Sequence, residues 1–284
     1  MRIANLKGRL VLVDASEDAY DVQELTSGQF GPDPQAVYGR WPEFRDAVAR
    51  IDLHDHDAVA FDRADLGAPV PAPRQIFAIG LNYLDHAAES GFTPPEAPVV
   101  FTKFQNCLTG PHGAITLPAE GKVDWEAEIV AVIGRHARNV AESQAWHYVA
   151  GLTVGQDLSE RMMQLTGQPP QFSLGKSFPG FGPMGPWVVS VDEFDDPDDI
   201  EIECFLNGEP VQRSRTRNLI FSIPELIARL SAVLPLEPGD IIFTGTPAGV
   251  GFGRTPQRWL TAGDELVSSV RGIGELRHTF VTSG

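Results

Sequence analysis

Apolar positions along this chain fall mostly into short runs of about four to eight residues, punctuated by glycine and proline, and such runs predict strands more often than helices. Strands are expected over residues 9–14, 75–80, 98–103, 126–133, 149–154, 187–191, 200–206, 240–244 and 264–270. Helical spacing predicts only residues 42–51, 82–90, 141–147, 159–166 and 223–232, with Pro42 suited to a first helical turn. Long helices do not alternate with the strands, which disfavours a doubly wound parallel sheet. The expected class is α+β, a strand-dominated mixed sheet with few short helices. Pro69, Pro71 and Pro73 favour an extended connector. They divide a small β-rich N-terminal domain, residues 1–70, from a larger domain, residues 75–284.

Two strands share a Glu-x-Glu spacing but differ in pattern. Around Glu201 and Glu203 the alternation is regular, with Ile200, Ile202, Cys204 and Leu206 on one face and both carboxylates on the other. That is a half-buried strand with a wet face, followed by the hairpin signal Asn207-Gly208. Around Glu126 and Glu128 the carboxylate face continues as Val130 and Val132, while Trp125, Ala127, Ile129, Ala131 and Ile133 fill the other face. Both sides of this strand therefore look buried. Either the two carboxylates lie at a strand end still in solvent, or they are neutralised inside by a metal or a Lys/Arg partner.

Asp157 follows the apolar run 148–154 and so stands at the end of another core strand. Its spacing to Glu160 is that of a helix N-cap and its N3 partner, although a capping carboxylate keeps a second oxygen for other work. With Glu126 and Glu128 it would complete an all-oxygen site, suited to Mg²⁺, Mn²⁺ or Ca²⁺ rather than Zn²⁺. His86 and Glu89, three apart on a predicted helical turn, can meet as a general base and the carboxylate that orients it, or share that spacing as ordinary surface residues. His54-Asp55-His56-Asp57 reads as a polar loop. Glycine-rich stretches at 175–186, 245–251 and 272–274 match neither a Walker A loop nor a dinucleotide fingerprint. They place Lys176 and Thr246 on stiff loops near strand ends, where substrate contacts are commonly built.

Composition narrows the partners. The chain has 284 residues, 42% of them hydrophobic, which is enough for a sizeable core. A formal net charge of -16 argues against a nucleic-acid backbone or an anionic membrane surface as partner. Two cysteines are too few for a disulfide framework, no stretch reaches membrane-spanning length, and the apolar run 10–13 is too short for a signal peptide. A cytoplasmic location is expected.

Several of these segments occur in one order: Gly80-Leu81-Asn82-Tyr83 with His86 and Glu89, Asp124-Trp125-Glu126-Ala127-Glu128, Asp157-Leu158-Ser159-Glu160-Arg161 with Gln164, Gly175-Lys176-Ser177-Phe178, and Gly245-Thr246-Pro247-Ala248-Gly249-Val250-Gly251. Together they resemble the fumarylacetoacetate hydrolase family over about residues 75 to 280. The resemblance extends to bacterial acylpyruvase and 2-hydroxyhepta-2,4-diene-1,7-dioate isomerase-like members. It implies that Glu126, Glu128 and Asp157 bind a divalent cation, usually Mg²⁺, and that His86 and Glu89 form a catalytic dyad on a mobile lid. It further implies that Arg161, Gln164, Lys176 and Thr246 contact substrate or the metal's water and that the protein is a homodimer; if the dyad does not supply the base, Lys176 or metal-bound hydroxide is the alternative. The chain departs from the family at Gln156, Met162 and Pro179, where Asn, Asp and Asp are frequent. Met162 and Met163 suggest altered support for the ligands or a more apolar substrate tail.

The implied chemistry is metal-dependent hydrolysis of a C-C bond in a 2,4-dioxo acid, an acylpyruvate or fumarylpyruvate, to pyruvate and a carboxylic acid. Alternatives are decarboxylation of an oxaloacetate-type 2-oxo diacid, isomerisation or hydration of an unsaturated one, or a non-catalytic metal-binding role. The sequence does not separate these reactions.

Overall fold

The computed structural model describes every residue except Ser90, Phe92, Ser283 and Gly284. Two sheets face one another, with few and short helices around them, so the strand-dominated α+β expectation holds. The larger sheet runs Ala19–Asp21, Arg9–Val13, Arg2–Leu6, Gly182–Ser190, Val149–Gln156, Ala127–Ile133, Ile241–Phe243, Ile76–Gly80 and Val99–Thr102. Along this path neighbours are antiparallel except for Ile241–Phe243 beside Ile76–Gly80, which are parallel. The smaller sheet runs Glu209–Arg215, Glu201–Leu206, Glu265–Val270, Gly274–Thr282 and His112–Leu117, its last pair parallel.

The strand Ala127–Ile133 is buried along its whole length because each face meets a different core. Ile129, Ala131 and Ile133 pack in the interior shared with Ile202, Cys204, Leu206 and Leu266 of the smaller sheet. Val130 and Val132 point the other way, into a second cluster with Tyr38, Trp41 and Phe44 from the N-terminal region. The first 70 residues thus cover the outer face of the larger sheet. They also extend it, since Arg2 and Ile3 pair with Val189 and Val188. Their hairpin turns at Lys7 and Gly8, both at positive φ (51° and 82°), which is the twist a two-residue hairpin loop requires.

Local expectations differ in instructive places. Pro42 lies in the first turn of a helix, Trp41–Val48, that stops three residues short of the expected end. Residues 141–147 form a 3₁₀ segment, Glu142–Tyr148, rather than an α-helix. Of residues 159–166 only Arg161–Gln164 is α-helical, because Ser159–Glu160 pairs with Val123–Asp124 and Glu160, not Asp157, caps the helix by accepting from the N–H groups of Met162 and Met163. The expected helix 82–90 is Leu84–Glu89, with Ser90 outside the described residues. Strands Arg2–Leu6, His112–Leu117, Glu209–Arg215 and Gly274–Thr282 carry too many polar residues to stand out by pattern.

Candidate metal and catalytic site

Three carboxylates distant in sequence meet because two antiparallel strands end together. Ala127 pairs with Gln156 and Glu128 with Gly155, and just past this register the Asp157 N–H donates to the Glu126 carbonyl at 2.9 Å. Carboxylate oxygens of Glu126, Glu128 and Asp157 consequently lie within 4.8 Å of one another. The residues are 5%, 1% and 0% exposed, which removes the reading of a solvated strand end.

Cations surround this cluster unevenly. The Lys176 ammonium lies between Glu126 Oε2 (2.7 Å) and Asp157 Oδ2 (2.6 Å). Arg161 reaches Glu126 Oε1 at 2.7 Å and is fixed by Asp124 Oδ2 at 2.6 and 2.9 Å. Lys103, wholly buried, donates to Asp157 Oδ1 at 2.7 Å and to the carbonyls of Phe181 and Lys176. Glu128 accepts from the Gly245 N–H at 2.8 Å, and among the described residues no basic side chain pairs with it.

The proton affinities follow this asymmetry. Burial would raise the Glu126 carboxyl, but Lys176 and Arg161 outweigh it and bring it down to about 2. Burial, then the charges of Asp157 and Glu126, push Glu128 well above the usual carboxylate range. Burial would lower Lys176, yet Asp157 and Glu126 hold it above its ordinary value. Four buried carboxyl groups, Asp124 included, face three cations, and Glu128 is the one left without a cationic partner among the described residues. A buried all-oxygen set short of positive charge fits a hard divalent cation, with Glu126, Glu128 and Asp157 as the residues that would hold it.

The loop after Ile241–Phe243 builds much of the site with its main chain. Its N–H groups donate from Gly245 to Glu128, from Gly249 to both oxygens of Glu89 (3.0 and 2.9 Å), and from Gly251 to Asp124 (2.6 Å). Only glycine fits two of these positions. A Cβ on Gly249, at φ 109°, would lie 1.9 Å from the Val211 carbonyl oxygen, and one on Gly251 would lie 1.8 Å from that of Arg258. Thr246 is buried here, its hydroxyl donating to the Ala127 carbonyl and accepting from Gln212.

Above the cluster is a cavity of about 320 Å³ whose polar lining comprises His86, Glu126, Arg161, Gln164, Lys176 and Thr246. His86 Nδ1 lies 2.9 Å from Glu89 Oε1, which leaves Nε2 as the other ring nitrogen. The helix Leu84–Glu89 is held over the cavity by the Gly249 bonds to Glu89. Its base is tied by Asn82, fully buried, whose amide donates to the carbonyls of Phe221 and Thr244. Gln164 contributes its Oε1 to Arg161 at 2.9 Å.

Every residue singled out from the sequence for metal, base or substrate contact therefore lies at this one place. Sequence reasoning gave no role to Lys103, Asp124, Gln156 or Gln212. Lys103 had a signal, a lone lysine between Phe101 and Phe104 at the end of an apolar run. Gln156 accepts from the Glu126 N–H and donates to Ser268, a supporting role that its position before Asp157 alone does not reveal. Met162 and Met163 lie exposed and do not line the cavity. Glu201 and Glu203 are half-buried beside Arg213, and His54 belongs to a short 3₁₀ turn. Among the described residues Glu201, Glu203 and His54 join no metal-sized cluster.

Residues 75–281 match the family described as fumarylacetoacetate (FAA) hydrolase C-terminal. The chain is 44% identical over 247 residues to the fumarylacetoacetate hydrolase domain-containing protein 2 homolog of Dictyostelium discoideum, covering 84% of this chain and 80% of that protein. It is 42% identical over 208 residues to the mitochondrial oxaloacetate tautomerase Fahd2a of Rattus norvegicus, covering 73% of this chain and 66% of that protein. The maleylpyruvate hydrolase from Sphingobium sp. SYK-6, solved with manganese(II) and pyruvate, superposes over 100% of both chains with a TM-score of 0.82 at 30% identity. Fumarylacetoacetate hydrolase from Exiguobacterium antarcticum does so with a TM-score of 0.87, also at 30% identity and 100% of both chains. From the family match over most of its length and these whole-chain likenesses, the chain belongs to the fumarylacetoacetate hydrolase family.

Proposed function

We propose that this protein is a divalent-metal-dependent enzyme that forms and discharges the enolate of a 2-oxo acid. The observation carrying this reading is the Glu89-oriented His86 on the cavity lined by Glu126, one of three buried carboxylates clustered within 4.8 Å. A bound cation would polarise the 2-oxo group and offset the neighbouring carboxylate. His86, its Nδ1 engaged by Glu89, would take the proton from C3 on Nε2. The C3–H bond breaks, its electron pair becomes the C2=C3 bond, and charge moves to the 2-oxo oxygen. Lys176 and Arg161 keep positive charge at the floor where that charge develops. Returning the proton to oxygen gives the enol and returning it to carbon gives the keto acid, so the net reaction is a tautomerisation. Relatives named oxaloacetate tautomerases, 42% and 38% identical, support this outcome.

A second reading is hydrolysis of a 2,4-dioxo acid, supported by the maleylpyruvate hydrolase that holds manganese(II) and pyruvate. There His86 would deprotonate water, the water oxygen would add to C4, and the C3–C4 bond would break with its electrons leaving on pyruvate as the enolate. Both readings use the same residues and differ in which proton His86 moves. The deciding experiment supplies Mg²⁺ or Mn²⁺ with oxaloacetate, acylpyruvates and unsaturated 2-oxo diacids. Enol–keto interconversion without cleavage supports the first reading, and release of pyruvate with a carboxylic acid supports the second. Turnover of none of them defeats both.

A further inference from the structure

We propose that the preferred substrate carries an apolar, preferably aromatic, group on C3 and no second carboxylate, an inference that rests on the enolate reading above. Above its polar floor the cavity is walled by Leu81, Val99, Phe101, Leu165, Phe172 and Phe252. The rings of Phe101 and Phe172 meet edge to face with centroids 5.6 Å apart, and Phe252 stands beside the Arg161 guanidinium, 5.8 Å from its ring centroid. Flat walls of this kind suit an aryl or branched alkyl group, which gains from burial and edge contacts.

The cations are all at the foot of these walls. Among the described lining residues Lys176 and Arg161 are the only lysine and arginine, and each is already bonded to two buried carboxylates. Lys176 Nζ lies 5.0 Å from the Phe101 ring centroid, marking where floor becomes wall. A second carboxylate, placed among Val99, Phe101, Leu165 and Phe172, would meet half-buried or exposed apolar side chains and no free lysine or arginine among the described lining residues.

The test compares phenylpyruvate with oxaloacetate as enolisation substrates of the Mn²⁺-loaded protein, following enol absorbance. The expected kcat/KM favours phenylpyruvate at least tenfold. Leu165 is 43% exposed, so Leu165→Arg adds a cation to the far wall without disturbing the core. It is expected to shift the ratio toward oxaloacetate at least tenfold. Calorimetry with two 2-oxo acids that cannot enolise gives a readout independent of turnover, and phenylglyoxylate is expected to bind at least tenfold tighter than ketomalonate. Oxaloacetate favoured by the wild type, an unmoved ratio in Leu165→Arg, or equal binding of the two analogues overturns the inference while leaving the enolate reading in place. Enolisation of neither substrate overturns the enolate reading, and the inference with it.

Discussion

Lys176 lies 2.6 Å from Asp157 Oδ2, and this bridge, completed on its other side by Glu126, excludes Glu128. The three carboxylates grouped from the sequence are thus unlike one another in the metal-free protein. Two are neutralised by lysine and arginine, and the third is buried against its own kind.

Replacing Glu128 is therefore expected to act differently from replacing Glu126. Glu128→Gln removes a carboxyl that resists ionising, so the metal-free protein should keep or gain thermal stability at pH 8. Glu126→Gln strips Lys176 and Arg161 of a partner and should lower stability by roughly 3 kcal/mol, the scale for breaking a buried pair. Both should abolish Mn²⁺ binding by calorimetry. Glu201→Gln, at a half-buried carboxylate distant from the cluster, should change neither property.

Stability should fall at both ends of the pH range for separate reasons. Glu126, lowered to about 2, contributes stability present above the ordinary glutamate pKa of about 4.3 and lost as pH falls toward 2. Glu128 is raised, so its contribution is present below that ordinary value and lost as pH rises through its elevated one. Melting curves of the metal-free protein should show this decline as pH rises above the ordinary glutamate value of about 4.3, absent in Glu128→Gln. Because a cation needs Glu128 ionised, metal binding should release a proton and tighten with rising pH. A decline with rising pH that survives unchanged in Glu128→Gln would refute the assignment.

His86→Ala should reduce turnover by roughly 10²-fold or more, the usual scale for a lost general base, with Mn²⁺ affinity nearly unchanged because His86 is not among the clustered carboxylates. Parallel kinetics and metal titration separate these effects. Full turnover in His86→Ala would move the base to Lys176.

Lys103→Met should be among the most damaging single changes remote from the cavity lining. It leaves Asp157 Oδ1 and two buried carbonyls without their shared donor, a loss of roughly 3–5 kcal/mol in denaturant unfolding. If the variant folds, its Mn²⁺ affinity should fall as well, since Asp157 loses the contact that orients it. A variant as stable as the parent would show that this ammonium is dispensable.

How much of this was legible beforehand depends on where the informative contacts lie. Glu126 and Glu128 betrayed themselves because a strand apolar on both faces has no room for unpartnered charge, whereas Glu201 and Glu203 obeyed a plain alternation. The cap at Glu160 was misassigned to Asp157 because both spacings satisfy local helix rules, and only the Ser159–Asp124 pairing decides between them. Gly182–Ser190 begins Gly-Pro-Met-Gly-Pro, so only its second half, within the expected 187–191, reads as strand in sequence. It is a strand because Arg2–Leu6 and Val149–Gln156 flank it on either side. Lys103 stands out in sequence only as a lone lysine ending an apolar run, and its role emerges when its three acceptors, brought from residues 157, 176 and 181, are assembled around it.

The glycine-rich loop has a consequence for how this site can change over time. Because Gly245, Gly249 and Gly251 grip Glu128, Glu89 and Asp124 through main-chain hydrogens, the side chains of Pro247, Ala248 and Val250 between them carry none of those bonds. One short ribbon sets the distance between the helix Leu84–Glu89 and the carboxylates beneath it. Insertion of a single residue there would shift all three grips in concert, so drift within this stretch should proceed by exchange of side chains and almost never by change of length.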